Sequence, residues 1–239
     1  MDLNKAVIDS RDMLSKYGNK EFISNANFQN IVLAVSLIFK SFNDSPKDYR
    51  FPRSDLNCLE ENFEIVIKSL TIEIFIGITK GLSFSIQKSE RTLIEATARY
   101  VLLKELKCTT SQSLKSELES SFTTKKVSKT TRHFKKLLDD ESLDFFSARF
   151  DNNYASLNSL VHGNPSLNYT SFVEDYFDES LQQSNARANQ ALSLLSDVLF
   201  CIIFWIQKSE QTKILSRTDF AQFKIMSVNL SQLIDTYLS

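Results

Sequence analysis

Only two of the 239 residues are histidines, His133 and His162. Histidine is the usual acid–base group near neutral pH, so any imidazole chemistry rests on one of these two. His162 closes the stretch YASLNSLVHGNP, in which Tyr154, Asn158 and His162 recur every four residues. On a helix they form one stripe about 80° wide, flanked by the apolar Leu157, Leu160 and Val161. A helix end before Gly163 favours the charged imidazolium. Two uses fit this pattern: a polar anchor at a helix end, or a proton-transfer site. A second constellation is Arg91 with Glu95, one helical turn apart and set among Leu93, Ile94, Ala96, Ala98, Val101 and Leu102. A charged pair in such company costs energy unless each partner is satisfied, so the plain reading is a structural ion pair. The third is the run KKVSKTTRHFKK, where Lys125, Lys126, Lys129, Arg132, Lys135 and Lys136 surround His133. It reads either as a set of phosphate contacts or as a solvated linker neutralised by Asp139, Asp140 and Glu141. Phe134 is its one aromatic, which gives little to stack a base on. His133 is expected on the surface.

Other chemistries are excluded by what the chain lacks. Two histidines cannot form a zinc cluster. Cys58, Cys108 and Cys201 are too scattered for a disulfide framework or a metal knuckle. Gly18, Gly77, Gly81 and Gly163 form no Gly-rich phosphate turn. Glu60-Glu61 and Asp139-Asp140 are consecutive pairs that diverge around a helix, so neither pair can flank one bond. No metal and no cofactor are expected. The 28 Lys and Arg against 29 Asp and Glu argue against a chain globally built for nucleic acid, though a local patch remains open.

The elements that must position these residues are helices. Four Gly and three Pro supply too few turns for a β-sandwich or barrel. The expected fold is all-α, one domain over residues 1–239, a bundle of about six to eight helices. Periodicity of three and four residues places helices over 2–17, 23–42, from 54 through Phe75 with a second phase over 82–107, 142–162, 179–208 and 218–238, with a short one at 134–138. In this reading Ser142 and Thr218 act as caps, and Gly77 and Gly81 either kink the helix or let another helix approach. TIEIFIGIT is rich in strand formers, but no partner strand follows it, so it is assigned to a helix. Residues 109–131, rich in Ser, Thr and Lys, are expected to be a linker or a mobile helical excursion. Phe200, Phe204 and Trp205 are assigned to the core, or alternatively to a partner helix. The longest apolar runs, Ile31–Phe39 and Val198–Ile206, fall short of the roughly 20 residues that span a bilayer. The N-terminal stretch has no apolar signal region. No membrane association and a cytoplasmic location are therefore expected.

The string LNSLVHG resembles the motif of the HEPN superfamily (higher eukaryote and prokaryote nucleotide-binding domains), with Asn158 as its polar residue and His162 as its histidine. Leu157 stands where that family has Arg. SERTLIEATARYVLLKEL similarly resembles the Arg-x-x-x-Glu helix of bacterial helical proteins that carry a late Val-His-Gly. The resemblance implies a cytosolic helical bundle from a phage-defence or toxin–antitoxin system. It also implies metal-independent RNase or RNA-binding activity and assembly as a homodimer or within a complex. In that reading His162 moves the proton, Asn158 positions the phosphate, Glu95 orients His162, and Arg91 or Arg99 replaces the missing cation. Arg149, about 140° around the helix from His162, is a poorer substitute. The absent motif Arg also suits a different class, a non-catalytic helical interaction module or subunit of a larger defence complex. A nucleic-acid-binding accessory subunit using residues 125–136 is a third.

Overall fold

The computed structural model describes Lys5, Ile8 and residues 26–45, 55–80, 83–108, 127–161, 181–211 and 213–239. Among them are eight α-helices and no strand: α1 Ala26–Asp44, α2 Asp55–Lys80, α3 Ser83–Cys108, α4 Val127–Asp140, α5 Asp144–Val161, α6 Leu181–Glu210, α7 Arg217–Met226 and α8 Ser231–Tyr237. The expected all-α bundle is what the chain forms.

The helix directions follow from named contacts. Phe28 meets Phe75 and Asn43 meets Lys68, so α1 and α2 are antiparallel. Ser89 meets Glu73 and Lys104 meets Glu60, so α2 and α3 are antiparallel as well. Gly77 sits at their closest approach. A Cβ there would lie 2.6 Å from Ile86 Cγ1, so the contact needs a glycine. α3 and α6 run parallel, linked by Gln87 to Arg187 at one end and by Lys104 to Glu210 at the other. α4 and α5 form an antiparallel hairpin, with Phe134 against Phe150 at 5.2 Å. α5 in turn runs antiparallel to α6, through Phe146 on Phe200 and Arg149 on Asp197.

α6 is the central element. Leu194 to Ile206 are buried on every side of the helix, as an all-round apolar helix must be. By length and composition Ala186–Glu210 could cross a membrane, but 83% of its most apolar 18 residues are buried inside the bundle. Phe200, Phe204 and Trp205 stack within the core, joined by Tyr237 of α8. They are core residues, not a partner surface. Cys201 is buried too, and burial together with the nearby Asp197 raises its thiol pKa well above the ordinary value. TIEIFIGIT is helical, as assigned.

Three boundaries differ from the expected ones. α4 begins at Val127, so residues 127–131 belong to a helix and not to the linker; 109–126 lie outside the described residues. Ser142 does not cap α5. It sits in the left-handed region, φ 59°, inside the turn that closes the hairpin, where its N–H donates to Asp139 O at 3.0 Å. The last helix is capped by Ser216, not Thr218. The Ser216 hydroxyl accepts from Asp219 N–H while the Asp219 carboxylate accepts from Ser216 N–H, a reciprocal capping box. That helix also breaks at Ser227 into a 3₁₀ turn, Val228–Leu230, before α8.

Candidate functional site

Residues 91–98 of α3 and 147–154 of α5 carry a group of polar side chains that meet in a seam between the two helices. Glu95 is its centre. Arg91 Nε lies 3.3 Å from Glu95 Oε1, one turn away on the same helix. The Tyr154 hydroxyl of α5 donates to the same oxygen at 3.2 Å. The Arg91 guanidinium stands over the Tyr154 ring, 5.8 Å from its centroid, close enough for cation–π attraction. Arg91 and Glu95 side chains are each 16% exposed. The Nε–H of Arg91 is buried and, though 3.3 Å from Glu95 Oε1, is out of line for a hydrogen bond to it. The structural ion pair read from the sequence is formed, with a third member in Tyr154.

Beside the seam runs a narrow cleft lined by Ile94, Ala98, Phe134, Leu138, Phe150 and the Ser147 hydroxyl. It is too tight for a nucleobase.

The seam leads to a second polar group. Gln87, Glu90 and Arg187 meet where the N-terminal ends of α3 and α6 run side by side. With its amide turned so that the oxygen faces the guanidinium, Gln87 accepts from Arg187 Nη2 at 3.0 Å. Burial pushes the Glu90 carboxyl up to about 7, against the opposing pull of Arg187. Because α5 runs antiparallel to α3, its C-terminal half heads toward this end of the bundle. Asn158 is on α5, one turn beyond Tyr154. Its side chain lies outside the described residues, and His162 lies outside them entirely. Arg99 is half-buried, two turns along α3 from Arg91.

No family model, curated protein or solved structure matches this chain.

Arg149 is the cation that the structure assigns elsewhere. It reaches Asp197 of α6 at 2.9 Å and donates to Ser193 Oγ at 2.6 Å. Burial pushes the Asp197 carboxyl up to about 7, with Arg149 opposing. This pair holds α5 against the central helix. Of the basic run, Lys125 and Lys126 lie outside the described residues, and Lys129 is on α4 with its side chain outside them. Arg132, Lys135 and Lys136 are exposed. Lys135 is paired with Asp151 of α5, and that carboxylate keeps its amine charged. Asp139 and Asp140, also exposed, close the helix, so the outer face of α4 carries both signs. His133 is half-buried, not on the surface as expected: α4 is longer than the sequence reading allowed, and one face of it packs on α3 and α5.

Sequence reasoning missed Tyr154 as the partner of Glu95, and it missed Glu90 and Arg187. Tyr154 was legible as part of a stripe, but its partner is 59 residues away. Glu90 stands in the run QKSER, where nothing local marks it as buried. The described residues hold no group of three or more metal-ligating side chains.

Proposed function

We propose that this chain is a HEPN-like helical protein that acts on RNA through the α3/α5 seam, with metal-independent phosphodiester cleavage as its reaction. What supports the reading is the convergence of Arg91 and Glu95 with Tyr154, on the helix that also carries Asn158 and whose last described residue, Val161, directly precedes His162. Two segments picked out separately in the sequence thus share one seam.

In this reading His162 moves a proton at the 2′-hydroxyl or the leaving oxygen, a task worth about 10²–10⁴-fold in rate. Arg91 supplies the positive charge that Leu157 cannot. Its position over the Tyr154 ring holds the guanidinium in place, and its charge stabilises the developing charge on the phosphate. Glu95 holds Arg91 in place and is a positioning residue. Asn158 positions the phosphate. The RNA lies along the seam mouth, and the exposed Arg132 and Lys136 of α4 extend its track.

The test is cleavage of a mixed-sequence RNA by the purified full chain in EDTA. Wild-type cleavage that falls at least 100-fold in His162→Ala and in Arg91→Ala supports the reading. Equal activity in wild type and His162→Ala overturns it. No cleavage, together with no RNA binding at low salt, replaces it with the non-catalytic interaction module.

A further inference from the structure

One flank of α2 rests on α1, where Lys68 Nζ donates to Asn43 Oδ1 at 3.0 Å. The other rests on α3, where the Ser89 hydroxyl donates to Glu73 Oε2 at 2.9 Å. The face between these flanks points outward, and it is apolar. Ile65, Ile72 and Ile76 are 60%, 40% and 41% exposed. At 100° per residue these three fall within about 40° of one another. Ser69, also exposed, lies among them. Single exposed isoleucines are ordinary, but an aligned row of them marks an interaction surface.

The spacing and the rim charges identify the occupant. Ile65 and Ile72 are seven residues apart, as are Ser69 and Ile76, which is the two-position seam of a heptad pairing. Lys68 and Glu73 stand on opposite rims of that seam, five residues apart. In a parallel two-stranded pairing, residues at this spacing meet across the interface. A positive rim and a negative rim on one helix are both satisfied by an identical helix.

We propose that the outer face of α2 is the contact between two copies of this chain, with the two α2 helices parallel and in register about a two-fold axis. Lys68 of each copy meets Glu73 of the other, so the pair forms twice. Both groups have capacity left, since Lys68 commits one of three N–H donors to Asn43 and Glu73 commits one oxygen to Ser89. Isoleucine at both seam positions supplies the buried area, and Ser69 lets the helices approach closely. α5 packs on α3, and this face of α2 lies between the flanks that α1 and α3 cover. The contact uses none of the α3/α5 seam residues.

The experiment is the mass of the full chain in solution by light scattering and sedimentation, over a concentration series. The wild type is expected to dimerise, and Ile72→Asp to be monomeric. Lys68→Glu and Glu73→Lys are each expected to raise the dimer dissociation constant by about tenfold or more, and Lys68→Glu combined with Glu73→Lys to recover it. Ile225→Asp, at an isoleucine 75% exposed on α7, is expected to leave the dimer intact. Circular dichroism of every variant separates a lost contact from a lost fold. A wild type that stays monomeric overturns the proposal, as does a dimer indifferent to Ile72→Asp or a double exchange that fails to recover the dimer.

Discussion

Glu90 and Asp197 are carboxylates whose surroundings oppose their charge, and this has a measurable sign. Their folded pKa values are raised, so each contributes stability that is complete below its unfolded pKa and is lost as pH rises toward 7. Glu90 moves from 4.5 to about 7, so the fold is expected to lose about 2–3 kcal/mol between pH 5 and pH 8 from this residue alone. Urea unfolding of wild type and Glu90→Gln at those two pH values measures it. The Glu90→Gln profile should be flatter, and equal slopes would refute the assignment. Asp219 works the other way. Burial raises its pKa, but hydrogen bonds from Lys40 and Ser216 outweigh that and lower it, so its contribution is lost only on acidification. Lys104 is the most fully enclosed cation described. Burial acts to lower its pKa, but Glu60 at 2.5 Å and Glu210 at 3.1 Å raise it above the ordinary lysine value. Lys104→Met removes the cation and leaves two carboxylates facing each other, with a cost of about 3–5 kcal/mol, measurable as a shift of the denaturation midpoint.

At the scale of elements, the helices were readable wherever their apolar period was continuous. α1, α2, α3 and α6 lie within a few residues of their expected limits, because each carries a long repeat that water and neighbouring helices sort into faces. What was not readable depended on geometry that adjoining residues do not encode. Ser142 looks like a cap, because serine often is one, but a left-handed turn claims it. Ser216 and Asp219 form a capping box that was overlooked because Thr218 is an equally acceptable cap by composition. Ser216→Ala is expected to cost about 1 kcal/mol, and Thr218→Ala, at an exposed position, a few tenths. Thermal unfolding of the two variants decides between the caps. The seam followed the same rule. Arg91–Glu95 was visible because both partners are on one helix, whereas Tyr154, Arg187 and Asp197 acquire their meaning from helices far away in the chain. Asp197 did carry a local signal, a lone carboxylate in the apolar run LSLLSDVLFCIIFW.

On the scale of the whole molecule, the parallel course of α3 and α6 has a consequence for how the chain comes together. Antiparallel neighbours such as α1 with α2 and α2 with α3 need only short loops, and their contacts are nearly local. Two parallel helices cannot be joined that way, and α5, antiparallel to both, is the helix that brings the chain to the starting end of α6. Lys104 meets Glu210 across 106 residues of sequence, and closing so long a loop is entropically costly until the segments between are ordered. The three helices from 26 to 108 are therefore expected to form an early unit during synthesis, before α6 arrives as the shared core. A ribosome-stalled chain ending near residue 110 should display an apolar groove where α6 belongs. That groove is the point at which a nascent molecule of this kind is open to chaperone capture or misassociation.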